Sequence, residues 1–289
     1  MNIQRESMSL TRLLESATIM KKLLSVILFS LALFSPAFAD TTEDVTEVFT
    51  DADAPAADQS GPSNFHGILG PALFSTHKII GDGHTVIGLF PLILMRYKDI
   101  AYWNIGGGGV WLLGTDDRSL RLGAGIRTRG GWQPGDDMEL AGMERRKGSI
   151  DGYLNGVWKT PLATLGAHYY HDIGHVSDSN AASLRLSHIF RINDDLRLTP
   201  SIGATWQDSK RVDYYYGVRP GEVLPSRPAY TGRDTINANA GLAGSYLLPH
   251  SWSLLGGVIT TRYGNGIVDS PIVTRRYSTL FYFGAGWLF

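Results

Sequence analysis

Apolar residues recur at every second position in segments of ten to fifteen residues throughout the region from Asn64 to Phe289. The last segment, YSTLFYFGAGWLF, places Phe281, Phe283 and Trp287 on one side and smaller residues such as Gly284 on the other. Successive side chains of a β-strand point to opposite faces, so this alternation predicts strands with one apolar face. The chain therefore reads as all-β after its N-terminal region.

Eleven segments carry this pattern, and each predicts a strand. They are 65–76, 85–97, 101–113, 119–129, 150–159, 162–171, 180–192, 195–206, 236–246, 252–263 and 277–289. Single-chain bacterial membrane barrels close with an even number of strands. We expect about 12 strands, with a further one between 210 and 218, or 10 if a weak segment such as 65–76 is not a strand.

An aromatic C-terminal strand needs an apolar environment and a partner on each side. Taken alone, YSTLFYFGAGWLF also fits an edge strand of a soluble β-sandwich. In a bilayer an open strand edge would leave amide groups without partners, so the last strand must pair with the first. Mean hydropathy is only -0.06, as expected where a polar inward face dilutes an apolar outward one. The sequence predicts a transmembrane, antiparallel, up-and-down β-barrel over residues 64–289.

The N-terminal region reads as a targeting segment. Lys21 and Lys22 precede the apolar run 23–34, and Ala37-Phe38-Ala39 supplies a small-x-small cleavage pattern. We predict a signal peptide over 1–39, with Met20 as an alternative start, because the run is too short for a membrane-spanning helix. Residues 40–63 hold seven carboxylates and no basic side chain, which predicts a flexible acidic periplasmic leader. The predicted location is the outer membrane.

Bulk composition excludes several classes of function. The chain has no cysteine, so it can form neither a disulfide nor a thiolate metal site. It has 26 basic and 27 acidic side chains, which gives no reason to expect a nucleic-acid partner. The expected partners are outer-membrane lipid and the outer-membrane assembly machinery. The terminal aromatic residue, Phe289, resembles the signal by which that machinery recognises its clients.

Three stretches, followed by the aromatic C-terminal strand, carry a family resemblance. They are PLILMRY at 91–97, VDYYYGVRP at 212–220 with RPAY at 227–230, and VDSPIV at 268–273. Together they resemble the MipA/OmpV family of Gram-negative outer-membrane proteins. The resemblance implies a non-enzymatic scaffold, without a cofactor, that binds an MltA-like murein lytic transglycosylase and a bifunctional murein synthase.

The matching motif positions are the candidate functional residues, with packing of loops at the barrel rim as the alternative role. They are Asp213, Tyr214, Tyr215, Tyr216, Arg227, Tyr230, Asp269, Ser270 and Pro271. The first hairpin departs from the family pattern, since it reads STHKIIGDGHT where many relatives carry an acidic, tyrosine-containing loop.

Catalysis and metal binding have weaker support. His175 and Ser177 are two residues apart and would suit a lipid-acting barrel hydrolase, but the segment reads as a loop and offers no assignable carboxylate. His168 and His171 lie three residues apart, which places them on opposite faces of a strand. We therefore predict no catalytic residue and no metal site.

Arginines recur on the polar faces of the predicted strands. They are Arg121, Arg127, Arg129, Arg185, Arg191 and Arg197. They would either line a narrow solute channel that favours anions or pair with inward carboxylates such as Asp151 and Asp195. The second alternative gives a rigid, plugged interior, which small barrels favour.

Overall fold

The computed structural model describes residues 65–98 and 100–289. The predicted signal peptide and acidic leader lie outside the described residues. Within those residues, the helices are too short or too polar to cross a membrane.

Thirteen β-strands form one closed antiparallel sheet. Their bounds are β1 Phe65–His77, β2 Thr85–Tyr97, β3 Ala101–Asn104, β4 Gly107–Gly114, β5 Leu120–Arg129, β6 Ser149–Lys159, β7 Thr164–Asp172, β8 Asn180–Ser187, β9 Phe190–Arg191, β10 Leu196–Gln207, β11 Thr235–Leu248, β12 Trp252–Arg262 and β13 Tyr277–Leu288. Both β8 and β9 pair with β10, so they form one interrupted strand. The result is the 12-stranded barrel that the sequence predicts.

Pairing between β13 and β1 closes the barrel. Ile68 lies opposite Leu288, and Gly67 and Phe289 exchange two backbone hydrogen bonds of 3.1 Å. The Phe289 ring also stacks on Phe65, with 5.6 Å between ring centroids. The terminal aromatic is therefore part of the closing seam.

The strand missing from the sequence count lies within 101–113. There the chain reverses at Ile105 and Gly106, and Gly106 has a φ of 81°, which glycine adopts without strain. The strand predicted at 65–76 is confirmed, whereas the further strand suggested between 210 and 218 was wrong, because that segment is largely the helix α1, Ser209–Tyr216.

The two faces of the wall differ as predicted. In β13, Phe281 and Phe283 are 53% and 56% exposed, whereas Leu280 and Tyr282 face the interior and are buried. Other large apolar side chains also point outward and are exposed, among them Ile87, Leu89, Leu154, Leu184, Ile202 and Ile236. Such a continuous apolar belt would be costly in water and suits lipid.

The two ends of the barrel carry different connections. At the end that includes Phe65 and Phe289, here called the turn end, the connections are 98–100, 115–119, 160–163, 192–195 and 249–251. At the opposite end, called the loop end, they are 78–84, 105–106, 130–148, 173–179, 208–234 and 263–276. Long segments therefore gather at one end only.

Candidate functional site

Four long connections at the loop end pack into a single structure, here called the cap. It comprises 78–84, 130–148, 208–234 and 263–276, with α1 and a second short helix, α2 (Asn265–Val268). These segments share an apolar core of Ile79, Ile80, Trp132, Leu140, Met143, Val212, Tyr215, Tyr216, Val218, Tyr263, Ile267 and Ile272. Since the segments start from strands around the barrel, the shared core spans its mouth.

The helix α1 brings the tyrosine-rich motif into this core. The Asp208 side chain caps its first turn by accepting a hydrogen bond from the Arg211 backbone at 2.9 Å. Val212, Tyr215 and Tyr216 follow at helical spacing, and all three are buried. The motif is thus helical, although tyrosines favour strands.

The three motif tyrosines tie α1 to neighbouring loops. The backbone amide of Lys147 donates to the Tyr214 hydroxyl at 2.9 Å, and the Tyr215 hydroxyl donates to the Lys147 carbonyl at 3.1 Å. The Ser270 hydroxyl donates to the Tyr216 carbonyl at 2.6 Å. These contacts connect segments 208–234, 130–148 and 263–276.

The remaining motif residues also lie in the cap. Asp213 accepts a hydrogen bond from the Gly232 backbone at 2.8 Å, and the Tyr230 hydroxyl donates to the Gly266 carbonyl at 2.7 Å. Asp269 pairs with exposed Arg233, and Pro271 lies beside Ser270 in the segment that follows α2. The structure therefore gathers all nine sequence-predicted positions, as loop packing would require.

Two buried ions, Arg146 and Glu222, hold the longest cap loops together, and the motif analysis missed both. Two nitrogens of Arg146 donate to the two Glu222 oxygens at 2.8 and 2.7 Å. Burial alone raises the pKa of Glu222. Hydrogen bonds from Arg146 and from the Arg219 and Glu144 backbones outweigh burial and lower this pKa from 4.5 to about 2. Neither residue belongs to a periodic sequence pattern, because each lies within a polar loop.

Arg227, a motif residue, strengthens the same junction. Its buried guanidinium donates to the carbonyls of Glu139 and Ala141 at 2.6 and 3.1 Å and to the Glu222 carbonyl. A side chain with five fixed donors suits such convergent carbonyls. Arg227 therefore acts as a structural clamp within the cap.

Below the cap, inward arginines meet inward carboxylates. Asp151 on β6 lies 3.3 Å from Arg127, 3.3 Å from Arg129 and 3.1 Å from Arg211 of α1. This confirms the predicted pairing with Asp151. Asp195 is instead exposed in the turn 192–195.

Arg191 lies opposite Arg197 of β10 in the same register as β8, so it shares the polar face of Arg185, as predicted. It is exposed because it lies next to the turn 192–195, at the end of the barrel. Arg121 and Arg185 are buried on the inward face, as predicted.

His175 and Ser177, the weaker alternative for a hydrolase, do not contact each other through a hydrogen bond. The Ser177 hydroxyl donates to Asp172 at 2.8 Å, whereas His175 is exposed and contacts Asp178 at 2.7 Å. His168 is buried inside the barrel and His171 is exposed, so the histidines are not gathered.

One other group of potential metal ligands lies at the cap surface. Asp82, His84 and Asp137 bring their ligand atoms within 4.8 Å of one another. Asp137 accepts hydrogen bonds from the Asp82 and Glu139 backbones, and His84 contacts Asp82 at 2.7 Å. These contacts join the divergent first loop to segment 130–148.

The turn end has a different surface. Leu162, Ile192 and Ile100 are exposed there, with Leu162 at 84%. Four exposed carboxylates lie in the same turns, namely Asp116, Asp117, Asp194 and Asp195. A hydrogen bond from Thr115, together with bonds from Ser119, lowers the pKa of Asp117 to about 2. This end therefore combines exposed apolar side chains with exposed carboxylates, and Lys98, Arg118 and Arg191 are exposed beside them.

Comparisons with known proteins agree with this architecture. The chain is 28% identical over 134 residues to the outer membrane protein Omp26La of Vibrio anguillarum, covering 46% of this chain and 52% of the relative. It thus spans about half the length of that relative. It is 25% identical over 211 residues to the MltA-interacting protein of Escherichia coli K12, covering 70% of this chain and 82% of the relative.

Solved structures add only a general likeness. A Pseudomonas aeruginosa FadL homologue aligns with 82% of this chain and 93% of its own, with a TM-score of 0.39 and 12% identity. The barrel and the named relatives place the chain in the outer membrane. The model of the family described as MltA-interacting protein MipA matches residues 69–289, and the chain belongs to this family.

Proposed function

We propose that this protein is a non-enzymatic scaffold that holds a murein lytic transglycosylase against the outer membrane through its turn end. The observation that carries the proposal is the surface of this end, where exposed leucine and isoleucine side chains lie among four exposed carboxylates. Apolar anchors surrounded by charge are typical of protein-binding surfaces. The name of the Escherichia coli relative supports the choice of partner.

Topology favours the turn end over the cap as the docking surface. Bacterial barrels direct their short turns to the periplasm and their longer loops outward. Murein enzymes act in the periplasm, so such a partner meets the turns 115–119, 160–163 and 192–195. The motif residues then stabilise the cap on the other side of the membrane.

The same surface accommodates the remaining proposed partners. The predicted acidic leader immediately precedes residue Phe65, which lies at the turn end. A bifunctional murein synthase would join through the bound transglycosylase. Phe289 at the closing seam serves as the signal for the assembly machinery.

Site-specific photo-crosslinking tests the proposal. A benzophenone amino acid is placed at Leu162 in the turn end or at Met138, which is 92% exposed in the cap. We expect irradiated envelopes to yield a lytic transglycosylase adduct from position 162 and none from position 138. Asp116→Asn with Asp117→Asn should reduce that adduct several-fold. Adducts with the assembly machinery alone, or with the transglycosylase from position 138 alone, would contradict the proposal.

A further inference from the structure

The inward face of the barrel divides into an apolar arc and a polar arc. The apolar arc belongs to the adjacent strands β12, β13, β1 and β2. Its buried inward side chains are Ile68, Ala72, Phe74, Phe90, Leu92, Leu94, Leu255, Ile259, Leu280, Tyr282 and Leu288. The polar members of this face, Thr76, Ser253, Thr261 and Ser278, lie near the strand ends, so the middle of the face is apolar.

The polar arc is formed by β5, β6, β7 and β8, and it lies across the lumen from the apolar arc. Asn155 lies opposite His168 in the register, and His168 lies opposite Ser183. Arg185 follows Ser183 on the same face of β8. On β5, Gly123 lies opposite Asn155, and Arg121, two residues earlier, is on the same face. Five polar side chains from four neighbouring strands thus share one region of the inner wall.

Two of these side chains carry buried polar atoms without a hydrogen-bond partner among the described residues. The Asn155 amide nitrogen and oxygen and the His168 Nε2 make no hydrogen bond there, although the residues are only 4% and 6% exposed. The His168 ring stacks on Tyr170, with 5.6 Å between centroids, which fixes its position. Buried polar atoms are nearly always hydrogen-bonded, so these atoms point to a missing ligand.

The charge of the lumen identifies the sign of that ligand. Among the described residues, five buried arginines project into the lumen or reach it from the cap: Arg121, Arg127, Arg129, Arg185 and Arg211. The buried carboxylates beside them are two, Asp151 and Asp172. Because buried charge is costly without compensation, an anion near Asn155 and His168 would be stabilised.

The pairing between β2 and β3, at one edge of the apolar arc, is short. On the side facing β3, β2 pairs only over 95–97, and no described strand pairs with 85–94 on that side. Backbone without a partner strand is tolerated at membrane depth only where protein covers it or where it lines a cavity. A ligand from the bilayer would cross the wall at this seam.

We infer that the lumen binds a single-chain anionic amphiphile. Its acidic headgroup, a carboxylate or a phosphate, contacts Asn155, His168 and Arg185. Its alkyl chain lies along the apolar arc of β12, β13, β1 and β2. This site is separate from the turn-end docking surface. An experiment can therefore disprove either proposal without affecting the other.

Displacement of a fluorescent fatty acid tests the site in the full chain, folded in neutral detergent. The probe is 11-(dansylamino)undecanoate. We expect decanoate and decyl phosphate to displace it at least about ten-fold more effectively than decanol or inorganic phosphate, because only they combine charge with an alkyl chain. Equal displacement by decanol would eliminate the headgroup site. Equal displacement by inorganic phosphate would show that the site binds free anions. That result would overturn the inference that its ligand is an amphiphile.

Paired arginine variants locate the headgroup. Arg185→Gln should weaken probe binding about ten-fold, whereas Arg191→Gln, at an exposed position, should leave it unchanged. Folding is checked by the shift in gel mobility on heating. If Arg185→Gln does not fold, His168→Phe is tested in its place. That substitution keeps an aromatic ring beside Tyr170 and removes Nε2. Unchanged binding in the folded variant would overturn the inference.

Discussion

Glu222 joins segments 130–148 and 208–234 through one carboxylate. It accepts both donors of Arg146 and two backbone amides, and these bonds hold its pKa at about 2 in the folded cap. A carboxylate with a lowered folded pKa stabilises the structure at pH values above its unfolded pKa. That stabilisation falls as the pH drops from about 4.5 towards 2. The cap should therefore loosen in acid before the barrel does.

Glu222→Gln should remove this pH dependence and loosen the cap at neutral pH, because it leaves the buried Arg146 charge without its partner. Breaking such a pair costs about 3–5 kcal/mol. Because the chain has no cysteine, Met143→Cys places a single thiol in the cap core. Its rate of modification by 2,2′-dipyridyl disulfide from pH 7 to pH 2 reports opening, normalised to Met138→Cys at the surface. A thiol equally protected with and without the Glu222→Gln substitution would refute this role.

At the scale of elements, the sequence predicted strands well wherever a period of two continued to a turn. It missed the hairpin of β3 and β4, because the chain reverses at Ile105 and Gly106 without interrupting the apolar pattern. It also assigned α1 to a strand, since three consecutive tyrosines favour strands. The competing signal was Asp208, a helix-capping residue placed before Val212, Tyr215 and Tyr216 at helical spacing. Motif positions were predictable, but their convergence depends on loops without periodicity.

The cap on α1 can be tested directly. Asp208→Ala removes the bond to the Arg211 backbone and also the two bonds that Asn180 donates to the same carboxylate. We expect α1 to lose about 1–2 kcal/mol of stability, seen as faster amide hydrogen exchange in 209–216. Asp208→Asn retains an acceptor and serves as the matched control. Unchanged exchange in Asp208→Ala would mean that core packing alone maintains the helix.

For the whole molecule, the question is whether the cap or the lumen limits passage of solutes. Cap segments from several sides share one core across the mouth, and an arginine–carboxylate cluster lies directly beneath it. Val218 and Tyr230 exchange backbone hydrogen bonds of 2.9 and 3.1 Å, so residues 219–229 can be replaced by two glycines without separating their ends. This shortened loop lacks both Glu222 and Arg227.

We expect liposomes with the intact protein to swell slowly in isotonic small solutes and those with the shortened loop to swell several-fold faster. Anionic solutes should enter the shortened variant faster than cationic ones, because buried arginines exceed buried carboxylates in the lumen. The deletion removes Glu222 and leaves the Arg146 charge without it. Arg146→Gln, added to both proteins, controls for this charge. Rapid swelling with the intact protein would mean that the cap does not close the mouth. Slow swelling with both would place the barrier in the paired charges around Asp151.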